Sequence, residues 1–484
     1  MAAAERRRAA PGRRLVGLGA VGALVLAYAV LDVADAVPGV LTTRPLPPPA
    51  PTETVAPRTA PSVAQPSPPT SAAAPLPALA GEAEGASPAG VQRALAAVRD
   101  LPALGDAALV VRDGQSGRVL LDQGGDELRI PASTTKLLSA AAIGKAFAPG
   151  DVLRTVVRQG AAPDRIVLVA GGDSLLAPGS GDPEAVAGHA GLRDLARQVA
   201  TKLEAAGVQR VMLAVDETYA PGPTTAPTWS SSFRSSGITG AVAMLGLSTQ
   251  RAHGGSPGPA DPVAAARTAF ATQLEALGVA VETEPRDESP TGGAAAAGPV
   301  LGSVESAPVR DQLALALTDS DNALTEILAR QAAFRSGAGT DFAAVGGWVV
   351  AEVRALGLDT TGLRLVDASG LSRENRVRAT LLSDVLVLGY DGAHPVLRRA
   401  LDGLPIGGLT GTLATRFTGA QHDAAGRARA KTGTLTGANA LAGSVVDDDG
   451  RLLVFVGMVA GTGTNDARAA LDRFVAAIAS CGCR

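Results

Sequence analysis

The chain has 484 residues, 46% hydrophobic and 18% charged, with a net charge of −3. That supplies apolar material for a core and length for about two to three domains of ~150 residues, and nothing in the slightly acidic balance points to a nucleic-acid polyanion as the partner. Basic residues are almost all arginine, the lysines being Lys136, Lys145, Lys202 and Lys431, so a lysine inside a motif is unusually informative.

The N-terminus carries Arg6, Arg7, Arg8, Arg13 and Arg14, then the uncharged run LVGLGAVGALVLAYAVL over 15–31. Positive charge before an apolar run is an export signal with the charged end retained in the cytoplasm. A cleaved signal peptide, with a small-x-small site at Ala34-Asp35-Ala36, and a retained single-pass anchor both fit residues 1–36. Residues 45–77 hold twelve prolines among alanine, serine and threonine. Such a segment buries too little apolar surface to fold, and 37–89 reads as an extended tether.

The folded part then begins. VQRALAAVRDL (91–101) predicts a helix, and AALVVRD and RVLLDQ predict two strands joined by the turn GQSG. PASTTKLLSA (131–140) opens a further helix at Ser133. In the middle, RIVLVAGG (165–172) and RVMLAVD (210–216) read as strands, with amphipathic LRDLARQVATKLEAAG between them. DPVAAARTAFATQLEALGV (261–279) is another helix, and the Gly/Pro-rich stretches near 254–262 and 284–300 read as loops or boundaries. Near the end, ALAGSVVDDDGRLLVFVGMVAG predicts a hairpin turning at DDDG. The last helix carries Leu471, Phe474, Val475 and Ile478 at i, i+3, i+4, i+7 spacing, a stripe for a sheet to cover. Strands at both ends with helices between predict an α+β fold: one antiparallel sheet built from both termini, flanked by helices. A second α/β domain is inserted at 155–302, dividing the first into 90–154 and 303–484.

Three short stretches carry the chemistry. Ser133 and Lys136 are three apart on a helix start, where a helix cap followed by a surface lysine is the plainer reading. Ser320-Asp321-Asn322, taken alone, is most simply a polar loop capping the next helix. Lys431-Thr432-Gly433 opens a strand and, alone, is a surface lysine before a turn. Together, SxxK, SDN and KTG in that order, with two of the four lysines in the lysine places, make coincidence the poorer account. A serine hydroxyl needs a positioned base, and residues i and i+3 share a helix face. Lys136 must be neutral to accept a proton, and burial beside a second cation, Lys431, depresses its pKa. Lys431 would also attract a substrate carboxylate. Ser320 can relay a proton to a leaving amine, and Asn322 can orient substrate and Lys136. Gly433 removes a side chain where substrate lies along the strand. The amides of Ser133 and Thr434 would form an oxyanion hole. No cofactor is called for, and His189, His253, His394 and His422 have no ligand spacing, so no metal is expected.

With these motifs the chain resembles the type-4 low-molecular-mass penicillin-binding proteins, the D-alanyl-D-alanine carboxypeptidase/endopeptidase family. Ser133 and Ser320 are 187 residues apart, far more than in a compact β-lactamase, and an inserted domain is that family's mark. LVAGGDSLL (168–176), VDETYAPGPTTAPTW (215–229), ADPVAAAR (260–267) and VDASGLSRENRV (366–377) also resemble family signatures. The resemblance implies that Ser133 is acylated, Lys136 is its base, Ser320 and Asn322 form the second motif, and Lys431, Thr432, Gly433 and Thr434 the third. It implies cleavage of D-Ala-D-X bonds in peptidoglycan stem peptides, inhibition by β-lactams and an extracytoplasmic location in periplasm or cell wall. Arg373 would contact an acidic group of the stem peptide or pair with a neighbouring acid. Asp216 would recognise the stem's diamino acid, Asp173 fixes a turn, and Trp229 belongs to the core. A β-lactamase would need a glutamate to activate water, for which Glu326 and Glu374 stand only in the right region. A non-catalytic wall-binding relative would not need an intact nucleophile and base. Cys481 and Cys483 end the chain as CGCR with no catalytic role, a disulfide across one residue being unfavourable.

Overall fold

The structure is a computed structural model that describes residues 85–285 and 298–483. The apolar run 15–31 and most of the proline-rich tether lie outside the described residues. Among the described residues no helix is long and apolar enough to cross a membrane.

In chain order the elements are α1 (Pro88–Arg99), β1 (Ala107–Asp113), β2 (Val119–Gln123), α2 (Thr135–Ala146), β3 (Arg154–Gln159), β4 (Arg165–Val169), α3 (Leu192–Ala205), β5 (Arg210–Asp216), α4 (Pro262–Glu275), β6 (Ala280–Thr283) and β7 (Val300–Glu305). There follow α5 (Val309–Thr318), α6 (Asn322–Arg335), α7 (Phe342–Ala355), α8 (Ala379–Tyr390), α9 (Pro395–Asp402), β8 (Arg429–Leu435), β9 (Ala438–Val446), β10 (Leu452–Ala460) and α10 (Thr464–Ala479). Their starts are chemically marked. Ser87 Oγ accepts from the Gly90 amide at 2.9 Å with Pro88 in the first turn, and Asp261, Asp321 and Asp341 cap α4, α6 and α7 in the same way. A capping oxygen satisfies an amide the helix cannot, and proline at the first position loses nothing. Because Ser87 caps and Ala86 is buried, folded structure starts before residue 90.

The first sheet has the order β2-β1-β10-β9-β8 and is antiparallel throughout, with Ala107 opposite Val459 and Gly433 opposite Ala440. Its two central partners come from opposite ends of the folded chain, as the sequence predicted. Along β1 the pleat sends Ala108 and Val110 into one core, with Leu137 and Leu138 of α2 and Leu382 of α8. Leu109 and Val111 enter another, with Leu95 of α1 and Leu471 and Phe474 of α10. Period-two alternation with both faces apolar means a sheet covered by helices on each side. The predicted stripe Leu471, Phe474, Val475 and Ile478 is buried against it.

The second sheet, of order β6-β5-β4-β3-β7, is built wholly from strands between residues 154 and 305. It is mixed: β4-β5 and β5-β6 are parallel, each crossover carrying a helix, while β3 pairs antiparallel with β4 and β7. Pairing β3 with β7 brings the chain back beside the segment that leaves α2, where the Ser306 and Val309 amides donate to the Leu153 and Asp151 carbonyls, and α5 starts there.

At the C-terminus the structure corrects one expectation. Cys481 and Cys483 are joined as a disulfide, their Cα atoms 5.0 Å apart and within the span such a bond bridges. The Cys483 carbonyl accepts from the Ser87 amide at 2.6 Å, so this end of the chain is packed on the start of α1.

Candidate active site

Ser133 lies in a 3-10 turn, Ala132–Thr134, immediately before α2. The capping reading of this serine does not hold. The hydroxyls of Thr134 and Thr135 bond back to the carbonyls of Pro131 and Ala132, at 2.7 and 2.9 Å, while Ser133 Oγ accepts from Lys136 Nζ at 3.1 Å. Ala132 has φ 47° and Ser320 φ 57°, left-handed conformations that cost a residue with a Cβ about a kilocalorie per mole or more. Two of the four described non-glycine residues with positive φ thus fall at the first two motifs.

Lys136 is fully buried and its ammonium nitrogen reaches three oxygens: Ser133 Oγ, Asn322 Oδ1 at 2.5 Å and the Ser369 carbonyl at 2.7 Å. Burial lowers its pKa to about 8, while the carboxylates of Glu326, Asp367 and Asp321 act to raise it. A base with that pKa is about one-tenth neutral at pH 7. Asn322, the first residue of α6, turns its amide to the Ile238 carbonyl at 2.7 Å, which fixes which end of the amide faces the lysine.

The peptide that receives Lys136 is itself held from behind. Glu326, one turn along α6 from Asn322, accepts from the Ala368 amide at 3.0 Å and the Ser369 amide at 2.7 Å. Burial, and then the neighbouring Asp367, raise Glu326 to about 7. Asp367 ties up the rest of the loop through the amides of Gly370 and Ser372, the Asn375 side chain and Trp229 Nε1. Trp229 is therefore a buried core residue with a polar task, and Glu326 is a buttress rather than a group facing solvent. Glu374 is exposed and paired with Arg364 at 2.6 Å. Neither acid serves the water-activating place a β-lactamase reading requires.

Lys431, Thr432, Gly433 and Thr434 lie on β8, the edge strand, where a peptide can add alongside. Lys431 is fully buried, and its Nζ donates to the Thr432 carbonyl at 3.1 Å. Burial and then the charge of Lys136 push its pKa well down. This alters the electrostatic part of the sequence reading: burial is the main cause of the Lys136 shift, and Lys431 is the lysine on which repulsion between the two is marked. Gly433 also has another reason to be glycine. A Cβ there would come within 2.7 Å of the Pro131 carbonyl and 3.3 Å of Ala132 Cβ, so its bareness lets the strand lie against the turn carrying Ser133.

Ser320 is half-buried beside Asn322, and among the described residues no hydrogen bond joins its hydroxyl to Ser133 or Lys136. It faces a cavity of about 810 Å³ whose wall also includes Asn322, Ile238, Arg251, Thr412 and Arg468. Arg373 is not brought to this wall. It is exposed and donates to the Thr436 carbonyl at 2.7 Å, holding the β8-β9 turn, and among the described residues it pairs with no acid. Asp216 is buried and accepts from the Thr218 amide and hydroxyl, at 2.9 and 2.7 Å. Asp173 is buried too, accepts from the Leu175 amide at 2.8 Å as a turn residue does, and is raised to about 6 by that burial. Among the described residues no three potential metal ligands cluster.

Sequence reasoning missed Arg251, Thr412 and Arg468. Arg251 donates to Asp321 and Asp319, each at 2.9 Å, and so clamps the second-motif loop from the other sheet's side of the chain. Some 70 residues separate these partners, and nothing in the local sequence near Arg251 announces them.

Residues 91–243 and 231–480 match the D-Ala-D-Ala carboxypeptidase 3 (S13) family. Similar proteins include carboxypeptidase DacB of Mycolicibacterium smegmatis, 36% identical over 401 residues, which cover 81% of this chain and 85% of that protein. Carboxypeptidase Rv3627c of Mycobacterium tuberculosis is 32% identical over 434 residues, 86% of this chain and 89% of the relative. The fold is similar to the crystal structure of penicillin binding protein 4 from Haemophilus influenzae, with a TM-score of 0.64 at 18% identity over 80% of this chain and 97% of that one. With the matched segments spanning both sheets and all three motifs, the chain belongs to the D-Ala-D-Ala carboxypeptidase 3 (S13) family of serine peptidases.

Proposed function

We propose that this protein hydrolyses D-Ala-D-X bonds of peptidoglycan stem peptides through an acyl-enzyme on Ser133. The observation that carries the reading is the fully buried Lys136 ammonium placed 3.1 Å from Ser133 Oγ and 2.5 Å from Asn322 Oδ1. Neutral Lys136 takes the serine proton as Oγ attacks the D-Ala carbonyl. The leaving amine departs with a proton delivered by way of Ser320, and Ser133 keeps the acyl group. Water then attacks the ester, returning the serine its proton and releasing the shortened peptide. The edge strand at Thr432, Gly433 and Thr434 would align the substrate, and the Ser133 and Thr434 amides would hold the oxyanion. Lys136 is poised as the base by its own burial, with the fully buried Lys431 close enough to feel its charge. Arg373 would support this arrangement by fixing the β8-β9 turn.

β-Lactams, as cyclic acyl donors, would acylate the same serine; the Haemophilus influenzae relative has been crystallised with one. Residues 155–302 would be a domain inserted into the catalytic one, with 90–154 and 303–484 as its two parts. The N-terminal charge and apolar run would export the chain, placing it extracytoplasmically where peptidoglycan is, whether secreted or anchored. Incubating the purified protein with a stem pentapeptide and following products by mass tests the reading. Loss of one alanine, absent in Ser133→Ala, is expected; an intact pentapeptide under conditions where the protein is folded would overturn it.

A further inference from the structure

We propose that a cavity at the β8-β9 turn is the subsite for an acidic residue two positions before the attacked alanine, and that Arg376 binds its carboxylate. The proposal rests on the DD-peptidase reading and names a part of the substrate remote from the reacting bond. The direction of the peptide comes from β8. Gly433 lies against the turn that carries Ser133. Thr432 Oγ1 is 2.9 Å from Thr412 Oγ1, and Thr412 shares a cavity wall with Ser320, the residue that serves the leaving amine. The acyl part of the peptide therefore runs the other way, from Thr434 towards Gly437. Those three steps cover about 10 Å at ~3.3 Å per residue, the reach of the attacked alanine and the two residues before it.

At that end lies a cavity of about 300 Å³, bounded by Arg129, Ile130, Arg376, Gly437, Ala438 and Met458. Its walls are tied to the active site: Ile130 precedes the Ser133 turn, and the amides of Arg129 and Val377 each donate to the other residue's carbonyl at 3.0 Å. Two cations stand in it, and they differ. Arg129 is paired with Glu127 at 2.5 Å and Asp106 at 2.9 Å. Arg376 is half-buried, and its Nη1 donates to the Arg373 and Asn375 carbonyls at 2.7 and 2.9 Å. Those two bonds hold the guanidinium in place. Among the described residues Arg376 pairs with no carboxylate, and its Nε and Nη2 donate to no protein group. That remaining edge of the fork is the one a carboxylate meets with two parallel hydrogen bonds. A neutral side chain reaching the same place finds only the apolar surface of Ala438 and Met458.

The test compares acetyl-Glu-Lys-D-Ala-D-Ala with acetyl-Gln-Lys-D-Ala-D-Ala, for the full chain and its Arg376→Gln, Arg376→Lys and Glu127→Gln variants. The full chain should prefer the glutamate peptide. Arg376→Gln should lose about 10- to 100-fold more kcat/KM on that peptide than on the glutamine one, mainly through KM, as expected for one charge-assisted contact away from the reacting carbonyl. Arg376→Lys should recover part of the preference because the charge remains. Glu127→Gln takes a competing carboxylate off the cavity wall and should widen the preference. A substitution that only loosened the loop would slow both peptides alike. Equal losses on both peptides, or a full chain with no preference between them, would overturn the assignment while leaving the DD-peptidase reading intact. Hydrolysis of neither peptide by the unaltered, folded chain would overturn both.

Discussion

Lys136 joins stability to reactivity at one atom. Its nitrogen is dry, bound to Ser133, Asn322 and Ser369, and poised by burial at about 8. A lysine acts as a base only when neutral, so acylation of Ser133 should rise with pH up to about 8 and then level off. Glu326 faces the Ala368 and Ser369 amides, and its charge raises the Lys136 pKa together with those of Asp367 and Asp321. Glu326→Gln keeps an acceptor for those amides and removes the charge, so the rising limb should move to lower pH. A shift of one unit would raise the neutral share at pH 7 from about one-tenth to about one-half, or up to about fivefold in rate. A stopped-flow pH profile with a fluorescent penicillin measures this, and a limb that stays or moves to higher pH contradicts the electrostatic account. The lysine-serine pair was legible in the sequence because helical spacing alone puts i and i+3 together. Glu326 was not, since its partners lie some 40 residues away on a loop whose path only the fold sets.

The strand β8 shows why correct elements do not suffice to assign a role. The KTG stretch and its hairpin partner are readable from alternation and turn residues, yet the demand for glycine comes from a different element. With the Pro131 carbonyl 2.7 Å from where a Cβ would sit, Gly433→Ala must push the edge strand off the turn that carries Ser133. The expected cost is roughly 1–3 kcal/mol in thermal or denaturant unfolding, with slower penicillin acylation because the strand and serine no longer meet in register. Unchanged stability together with unchanged acylation would show that the contact relaxes freely. Arg373 carries the complementary lesson. Its place in GLSREN offered either a stem-peptide contact or an ion pair with a neighbouring acid, and the folded loop spends that side chain on the carbonyl of Thr436.

Across the whole molecule, the first sheet joins the two ends of the folded chain and the strands of 154–305 form a sheet of their own. Both features follow from the order of periodic segments along the sequence. What the sequence concealed is the return contact: Ile238 receives the Asn322 amide, and Arg251 grips Asp319 and Asp321. Polar pairs between residues so far apart leave no periodic trace. Arg251→Ala should leave two neighbouring acids without their cation, cost roughly 1–3 kcal/mol, and slow acylation while far-UV circular dichroism stays unchanged. Acylation at the original rate would show that the second motif holds its shape without the clamp. The central claim, that Ser133 is the acylated nucleophile, is tested most directly by intact-protein and peptide mass spectrometry after brief exposure to benzylpenicillin. The account predicts one added penicilloyl group per chain, on the peptide containing Ser133 and absent from Ser133→Ala; the same adduct on the Ser133→Ala protein, or on another peptide, would contradict it.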